Sequence, residues 1–213
     1  MKRDNETKIL LLESAKKEFM EKGYMGASLR SICKNANMTT GALYYFFNDK
    51  EELFEAIAGE VVNGLFRILK QHFEKELSEQ HKSEESDIEH SVWDDYNVAT
   101  EAIRHMYANR EEILMILTKS QGSSYENVEE RFIEMAEMHY RTFADKMSVI
   151  YPDVILDDKM IHWLAHMQMD AFIYMITHIE NEAEGKVFIE RALAYMNSGF
   201  LGMYQNGGIK NME

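Results

Sequence analysis

One proline in 213 residues, Pro152, constrains this chain more than any other feature. Proline breaks helices and strands, and only 11 glycines add further weak points. A turn-rich β sandwich needs many more of both, so the sequence favours long, uninterrupted helices. Apolar spacing agrees. Ile9, Leu12, Ala15, Phe19 and Met20 recur three and four residues apart, which gives one stripe on a helix over about 5–22. Gly23 ends it. Ser28 caps a short second helix and Thr39 a third over 40–46. Between them Asn37 takes the turn, since Asn tolerates the left-handed conformation. Asp49 and Glu52 form a capping box for a fourth helix that runs to about 77.

Further helices are expected over 94–107, 110–119, 125–150, from 157 or 158 to 179, and from beyond Gly185 to 205. The polar run 78–89 reads as a loop, and Gly122-Ser123-Ser124 as a break. The fold expected is therefore all-α with about nine helices. A three-helix domain over 1–48 precedes a larger helical domain over 49–213, joined by the helix from about 49 to 77.

Charge divides the chain. The whole carries a net −14, yet residues 1–50 hold nine Lys and Arg against six Asp and Glu. That segment sums to +3 and the remainder to −17, an asymmetry that suggests two modules with different partners. The single Cys33 excludes an internal disulfide and a cysteine zinc cluster, which points to the cytoplasm. Trp163–Ile179 is the most apolar late stretch, but His166, Gln168, Asp170 and His178 interrupt it, so no membrane span is expected. Phosphate-cradling glycine loops and nucleophile elbows are absent from the sequence, so no enzyme and no cofactor are expected.

Three short helices with a four-residue turn before the third outline a helix-turn-helix. In such a unit the third helix offers its N-terminal side chains to the DNA major groove. Thr39, Thr40 and Gly41 lie at that tip, where small residues permit close approach and hydroxyls can bond to bases or phosphates. Tyr44 and Tyr45 can reach phosphate through their hydroxyls, and Lys50 through its ammonium. Ser28 and Arg30, on the second helix, complete the expected DNA-contact set. A solvated helix surface is the plainer reading of the same residues.

Residues 9–54 resemble the DNA-binding domain of the TetR family of bacterial transcription regulators. The segments ILLLESAKKEFMEKGYMGASLRSICKNA and MTTGALYYFFNDKEELF carry the likeness. Its marks are Ala15, Phe19, Gly23 and Tyr24, then Ser28, Leu29 and Ile32, then Gly41, Leu43, Tyr44, Tyr45, Phe47, Lys50 and Leu53. Asn37 stands where the family often has Gly. Phe46 replaces a frequent His, which puts one phosphate contact in doubt, and Cys33 replaces a small residue.

The resemblance implies a homodimer on a palindromic double-stranded DNA operator, released by a small-molecule effector, most often as a repressor. It implies a ligand cavity among the middle helices, where Trp93, Tyr96, Tyr107, Met115, His139, Tyr140, Phe143, Trp163, Met167 and Tyr174 are the candidate lining. The acidic body slightly favours a cationic or neutral ligand. It also implies a dimer interface on the last two helices, for which Met196, Gly199, Phe200, Met203 and Tyr204 are candidates. A helical stripe of methionine and aromatic residues equally suits plain core. The alternative function is a DNA-binding protein whose acidic body takes a protein partner. His162, His166 and Asp170 share a helical face, but core or interface histidines are the commoner explanation, so no metal is expected. Cys33, between Ile32 and Ala36, is expected to be a buried, inert thiol.

Overall fold

Apolar residues three and four apart produce helices throughout the computed structural model, which describes residues 2–78 and 85–205, with side chains over 4–75 and 96–205. Among the described residues there are nine helices: α1 (Lys2–Gly26), α2 (Leu29–Asn35), α3 (Thr40–Phe46), α4 (Lys50–Ser78), α5 (Glu85–Ala108), α6 (Arg110–Lys119), α7 (Val128–Ile150), α8 (Asp158–His178) and α9 (Glu182–Gln205). None is long and apolar enough to cross a membrane.

Two compact units divide the chain, one from Met1–Leu65 with Ala108–Val128, the other from Phe66–Tyr107 with Glu129–Glu213. Packing thus follows a different line from the motif boundary at 48/49. The start of α4 and all of α6 lie in the first unit.

In the first unit α1 packs on α2 and α6, and α2 packs on α3. Its core holds Leu11, Ala15, Phe19, Ile32, Leu43, Leu53, Phe54 and Met115, all fully buried. Phe54 lies edge-on to Phe19, with ring centroids 5.0 Å apart, and to Tyr24 at 5.3 Å. Gly23 breaks α1 at φ 71°, ψ 167°, backbone that residues with a Cβ avoid. One more turn follows, to Gly26, beyond the end expected at 22. That turn leaves open carbonyls at a helix C-terminus, and Lys50 fills them. Its Nζ donates to the Tyr24 carbonyl at 2.7 Å and the Met25 carbonyl at 3.4 Å.

The second unit has a core of Ile133, Tyr140, Met147, Ile161, Leu164, Ala165, Phe200 and Tyr204. α8 packs on α9. The Tyr107 hydroxyl donates to the Ile179 carbonyl at 3.1 Å, which ties α5 to the α8–α9 turn.

Three further helix limits differ from the periodicity reading. α5 begins at Glu85, although residues 78–89 look like a loop; residues 79–84 of that run lie outside the described residues. Polar residues without glycine or proline are adequate helix formers, and polarity alone misleads. α7 starts at Val128 because Tyr125 is turned into the first unit, where it is buried. α9 starts before Gly185, which is interior to the helix. A Cβ there would lie 2.7 Å from Tyr107 Cε2, so the glycine serves close packing and not a break.

Candidate nucleic-acid interface

The helix-turn-helix is assembled by caps and two buried polar contacts. Ser28 caps α2 by accepting from Ser31 N. Glu18, 3% exposed, accepts from Ser28 N at 3.3 Å and pairs with Lys22. Buried Ser14 Oγ donates to the Ile32 carbonyl at 2.8 Å and fastens α2 to α1. The turn passes through Asn37 at φ 55°, and Met38 N donates to the Cys33 carbonyl at 2.8 Å. Thr39 Oγ1 then accepts from Ala42 N at 3.1 Å and opens α3. Leu43 and Phe47 bury the inner face of this helix.

The outer face is what remains. Thr39, Thr40 and Gly41 are exposed at the tip of α3, and Tyr44 and Tyr45 are 57% and 76% exposed. Gly41 borders only the Thr39 hydroxyl, so its backbone is open to close approach. Phe46 is half-buried, in ring contact with Tyr45 and Phe47. The structure therefore brings five expected residues together on one helix face. Ser28 and Arg30 are exposed at the start of α2.

Lys50 departs from the expectation of a free phosphate ligand. Besides its two carbonyl acceptors, its ammonium lies 4.4 Å from the centre of the Tyr24 ring. It secures the end of α1 beneath the first turn of α4. The capping box is formed as expected in outline: Glu52 N donates to Asp49 Oδ1 at 2.8 Å. The Glu52 carboxylate reaches back one residue further, accepting from Asn48 N at 2.7 Å.

Sequence reasoning missed the groups that draw 108–128 into this unit. Lys16 of α1 bonds Glu111 at 2.7 Å and Glu112 at 2.6 Å of α6. Glu51, in the first turn of α4, accepts from Ser124 N at 2.9 Å and Ser124 Oγ at 2.6 Å. The Tyr125 hydroxyl donates to Glu55. These partners lie some seventy residues or more apart in sequence, so no local pattern marks them. Burial alone would raise the pKa of Glu51, but the bonds from Ser124 and Tyr24 outweigh it and hold the carboxyl below the usual range. Tyr24 is pushed up to about 12, first by burial and then by Glu51, and stays a donor.

A depressed carboxylate stabilises the fold above its unfolded value and loses that contribution as pH falls through the folded one. The expected result is that Glu51→Gln destabilises the protein at neutral pH. The difference from the native protein should shrink as pH drops below about 4.5, read by urea denaturation at several pH values. A difference that does not change with pH would remove Glu51 from this clamp.

Cys33 is 2% exposed, and burial raises its thiol, which makes it a poor nucleophile. The expected pocket residues are only partly gathered. His139, Tyr140 and Phe143 on α7 share one aromatic chain: Phe73–His139 at 4.9 Å, Tyr140–Phe200 at 5.7 Å, Phe143–Phe200 at 5.4 Å and Phe200–Tyr204 at 5.4 Å. Met167 packs partly buried on that core, and Tyr96 is half-buried on α5. Tyr107 instead supports the α8–α9 turn. Met115 is fully buried in the other unit, and Trp163 and Tyr174 face outward, 57% and 50% exposed. Trp93 lies outside the residues whose side chains are described.

The expected dimer residues split as well. Met196, Phe200 and Tyr204 are buried in the core of their own unit, because they follow the i, i+4 row that faces inward. Met203 is partly buried against that core. Only Gly199 is exposed, with open space where a Cβ would stand. His162 and His166 contact each other, and His162 also bonds Glu137; Asp170 is exposed one turn further along α8.

A capped helix-turn-helix with a bare outer helix face makes up the head of the first unit. Residues 11–57 match the family described as bacterial regulatory proteins, tetR family. Over those residues the chain is similar to the helix-turn-helix segment of that family. Over 50 residues it is 44% identical to the uncharacterized HTH-type transcriptional regulator YhgD of Bacillus subtilis (strain 168), covering 24% of this chain and 26% of that protein. It is 42% identical over 50 residues to the HTH-type transcriptional repressor AcnR of Corynebacterium diphtheriae, with the same coverage. The match therefore spans about a quarter of the length of these curated relatives. Across the fold it is similar to SmeT, solved as a triclosan complex: TM-score 0.60, 17% identity, 91% of this chain and 90% of the other. That likeness extends the shared fold to the helical body.

Proposed function

We propose that this protein is a ligand-responsive transcription regulator, a repressor, that binds a palindromic operator as a homodimer. The observation that carries the reading is the outer face of α3. Thr40, Gly41, Tyr44 and Tyr45 are held out by a fully packed inner face and a defined turn. Such a face suits the major groove, with the tip reading bases and the tyrosines reaching phosphate. The repressor AcnR, similar over the head, supports the direction of regulation.

The effector is assigned to the aromatic chain of the second unit. The Tyr204 hydroxyl there is buried and, among the described residues, has no hydrogen-bond partner. A buried polar group left open costs stability, and a ligand that meets it regains that cost and gains specificity. Phe200 and Tyr151 border Tyr204, and Tyr140, Phe143, His139 and Phe73 continue the row of rings, a lining that suits a neutral or cationic aromatic molecule. The triclosan complex of SmeT is a precedent for an aromatic ligand in this fold. α4 begins in the head and continues into the second unit, so a ligand that favours one setting of its C-terminal half biases the head. Release requires a ligand that prefers the non-binding state, with coupling typically about 1–3 kcal/mol. The lone cysteine and the lack of membrane-spanning helices among the described residues fit a cytoplasmic site of action.

Enrichment of random duplex DNA on the purified protein at physiological salt tests the reading. A palindrome should be recovered. On that sequence Tyr44→Phe should weaken all sites alike, while Thr40→Ala should alter base preference, by about 1–3 kcal/mol per affected base pair. Unchanged affinity and preference in both variants would remove α3 as the reading helix. Enrichment of no sequence would favour a protein partner for the acidic body.

A further inference from the structure

We propose that His162 and His166 of α8, oriented by Glu137 of α7, form a clamp for one borderline divalent cation of the Zn2+ class. The inference does not depend on the regulator reading.

The two histidines are four residues apart, so their rings rise from one face of α8. Their centroids are 4.5 Å apart with planes at 71°, and the two Nε2 atoms are 3.1 Å apart. The other nitrogen of His162, Nδ1, is bonded to the Glu137 carboxylate. That contact settles the proton arrangement. A carboxylate accepts, so Nδ1 of His162 carries its hydrogen and Nε2 presents a lone pair. His166 Nε2–H then donates to that lone pair, and a single proton lies between the rings.

A cation can take the place of that proton. Moving the His166 hydrogen to its own Nδ1 leaves two Nε2 lone pairs 3.1 Å apart with no atom lost, and a modest turn of the two rings converges them on one ion. Zinc–imidazole bonds of about 2.0–2.1 Å make a 3.1 Å nitrogen separation subtend about 100° at the metal, between octahedral and tetrahedral angles. The Glu137–His162 bond supplies the carboxylate–histidine support by which proteins orient metal-bound imidazoles and raise their basicity.

The neighbours leave the clamp open. One turn along, Arg141 is paired with Asp158 at 2.6 Å and also feels the charge of Glu137, the carboxylate behind His162. The His162 side chain is 57% exposed, which gives an ion a direct route in. Among the described residues no three His, Cys, Asp or Glu side chains converge to hold a metal, so water completes the coordination. The clamp is therefore a two-nitrogen exchangeable site and not a structural cage.

Titration calorimetry with zinc chloride, on full-length protein free of any affinity tag and stripped by chelator, tests this. The native protein should bind one more ion per chain than the His162→Gln/His166→Gln double variant. Each single histidine variant should lose about 10-fold or more in affinity. Glu137→Gln should lose about 10–100-fold, the usual effect of removing an orienting partner. His162 is exposed and His166 and Glu137 are half-buried, and thermal melts of the variants will show that they fold. Identical zinc uptake by native protein and double variant would overturn the clamp. Histidine-dependent uptake that Glu137→Gln leaves unaltered would overturn the orienting role.

Discussion

Introducing Glu at both Trp163 and Tyr195 should convert the proposed homodimer into a monomer and lower affinity for the proposed operator by about 100-fold or more. The reason lies in how α8 and α9 divide their apolar residues. Their inner rows fill the core of the second unit, yet the outer rows carry Trp163, Tyr174, Val187 and Tyr195, each at least 45% exposed. Tyr174 stacks on His178 at 4.2 Å and on Phe188 at 5.4 Å, which fixes its orientation. Gly199 adds open space for a neighbouring backbone. Exposed, oriented Trp and Tyr side chains beside a small residue are the usual anchors of a protein interface. A second copy is the occupant that a palindrome requires, with two heads about 34–36 Å apart. Joining two half-site contacts raises affinity by about 10²–10⁴-fold, and a monomer forfeits that gain. Sedimentation velocity reads the first effect and a gel shift the second. A variant that remains dimeric would move the interface to another face.

Phe54→Ala should destabilise the first unit by about 3–5 kcal/mol, the range for truncating a buried phenylalanine. Phe54 is fully buried, and three aromatic rings surround it: Phe19, Tyr24 and, at 5.9 Å, Tyr125. The loss is comparable to the whole stability of many domains, about 5–15 kcal/mol. Operator binding should therefore fail before the helical body melts. Urea denaturation followed by hydrogen exchange of first-unit amides measures this. A cost under about 1 kcal/mol would mean that this aromatic cluster does not hold the head together.

Local chemistry made much of the head legible. Ser28, Thr39 and Asp49 each cap the helix expected of them, and Asn37 has the positive φ that its turn demands. These features depend on residues within four positions of one another, which is the range a sequence pattern can span. Lys50 was harder. A lysine at a helix start reads as a phosphate ligand until the Tyr24 and Met25 carbonyls, twenty-five residues earlier, are seen beneath it. In α9 the difficulty was different. Periodicity reveals that a face is apolar but not whether that face meets its own chain or another. Leu193, Met196, Phe200 and Tyr204 turned out to face inward, and Tyr195 outward. The aromatic chain of the second unit was legible in composition and only partly in membership, since Phe73 and Phe200 come from helices far apart in sequence.

The first unit closes only when residues 108–128 return to it, and the whole of 66–107 is synthesised in between. A domain at the start of a chain ordinarily folds while the rest is still being made. This one cannot: Met115, Tyr125, the Glu51–Ser124 bonds and the Lys16 pairs are missing until the ribosome has moved past α6. The first unit stays incomplete until residues 66–107 have emerged, so a product of translation interrupted before α6 would lack part of that unit's core.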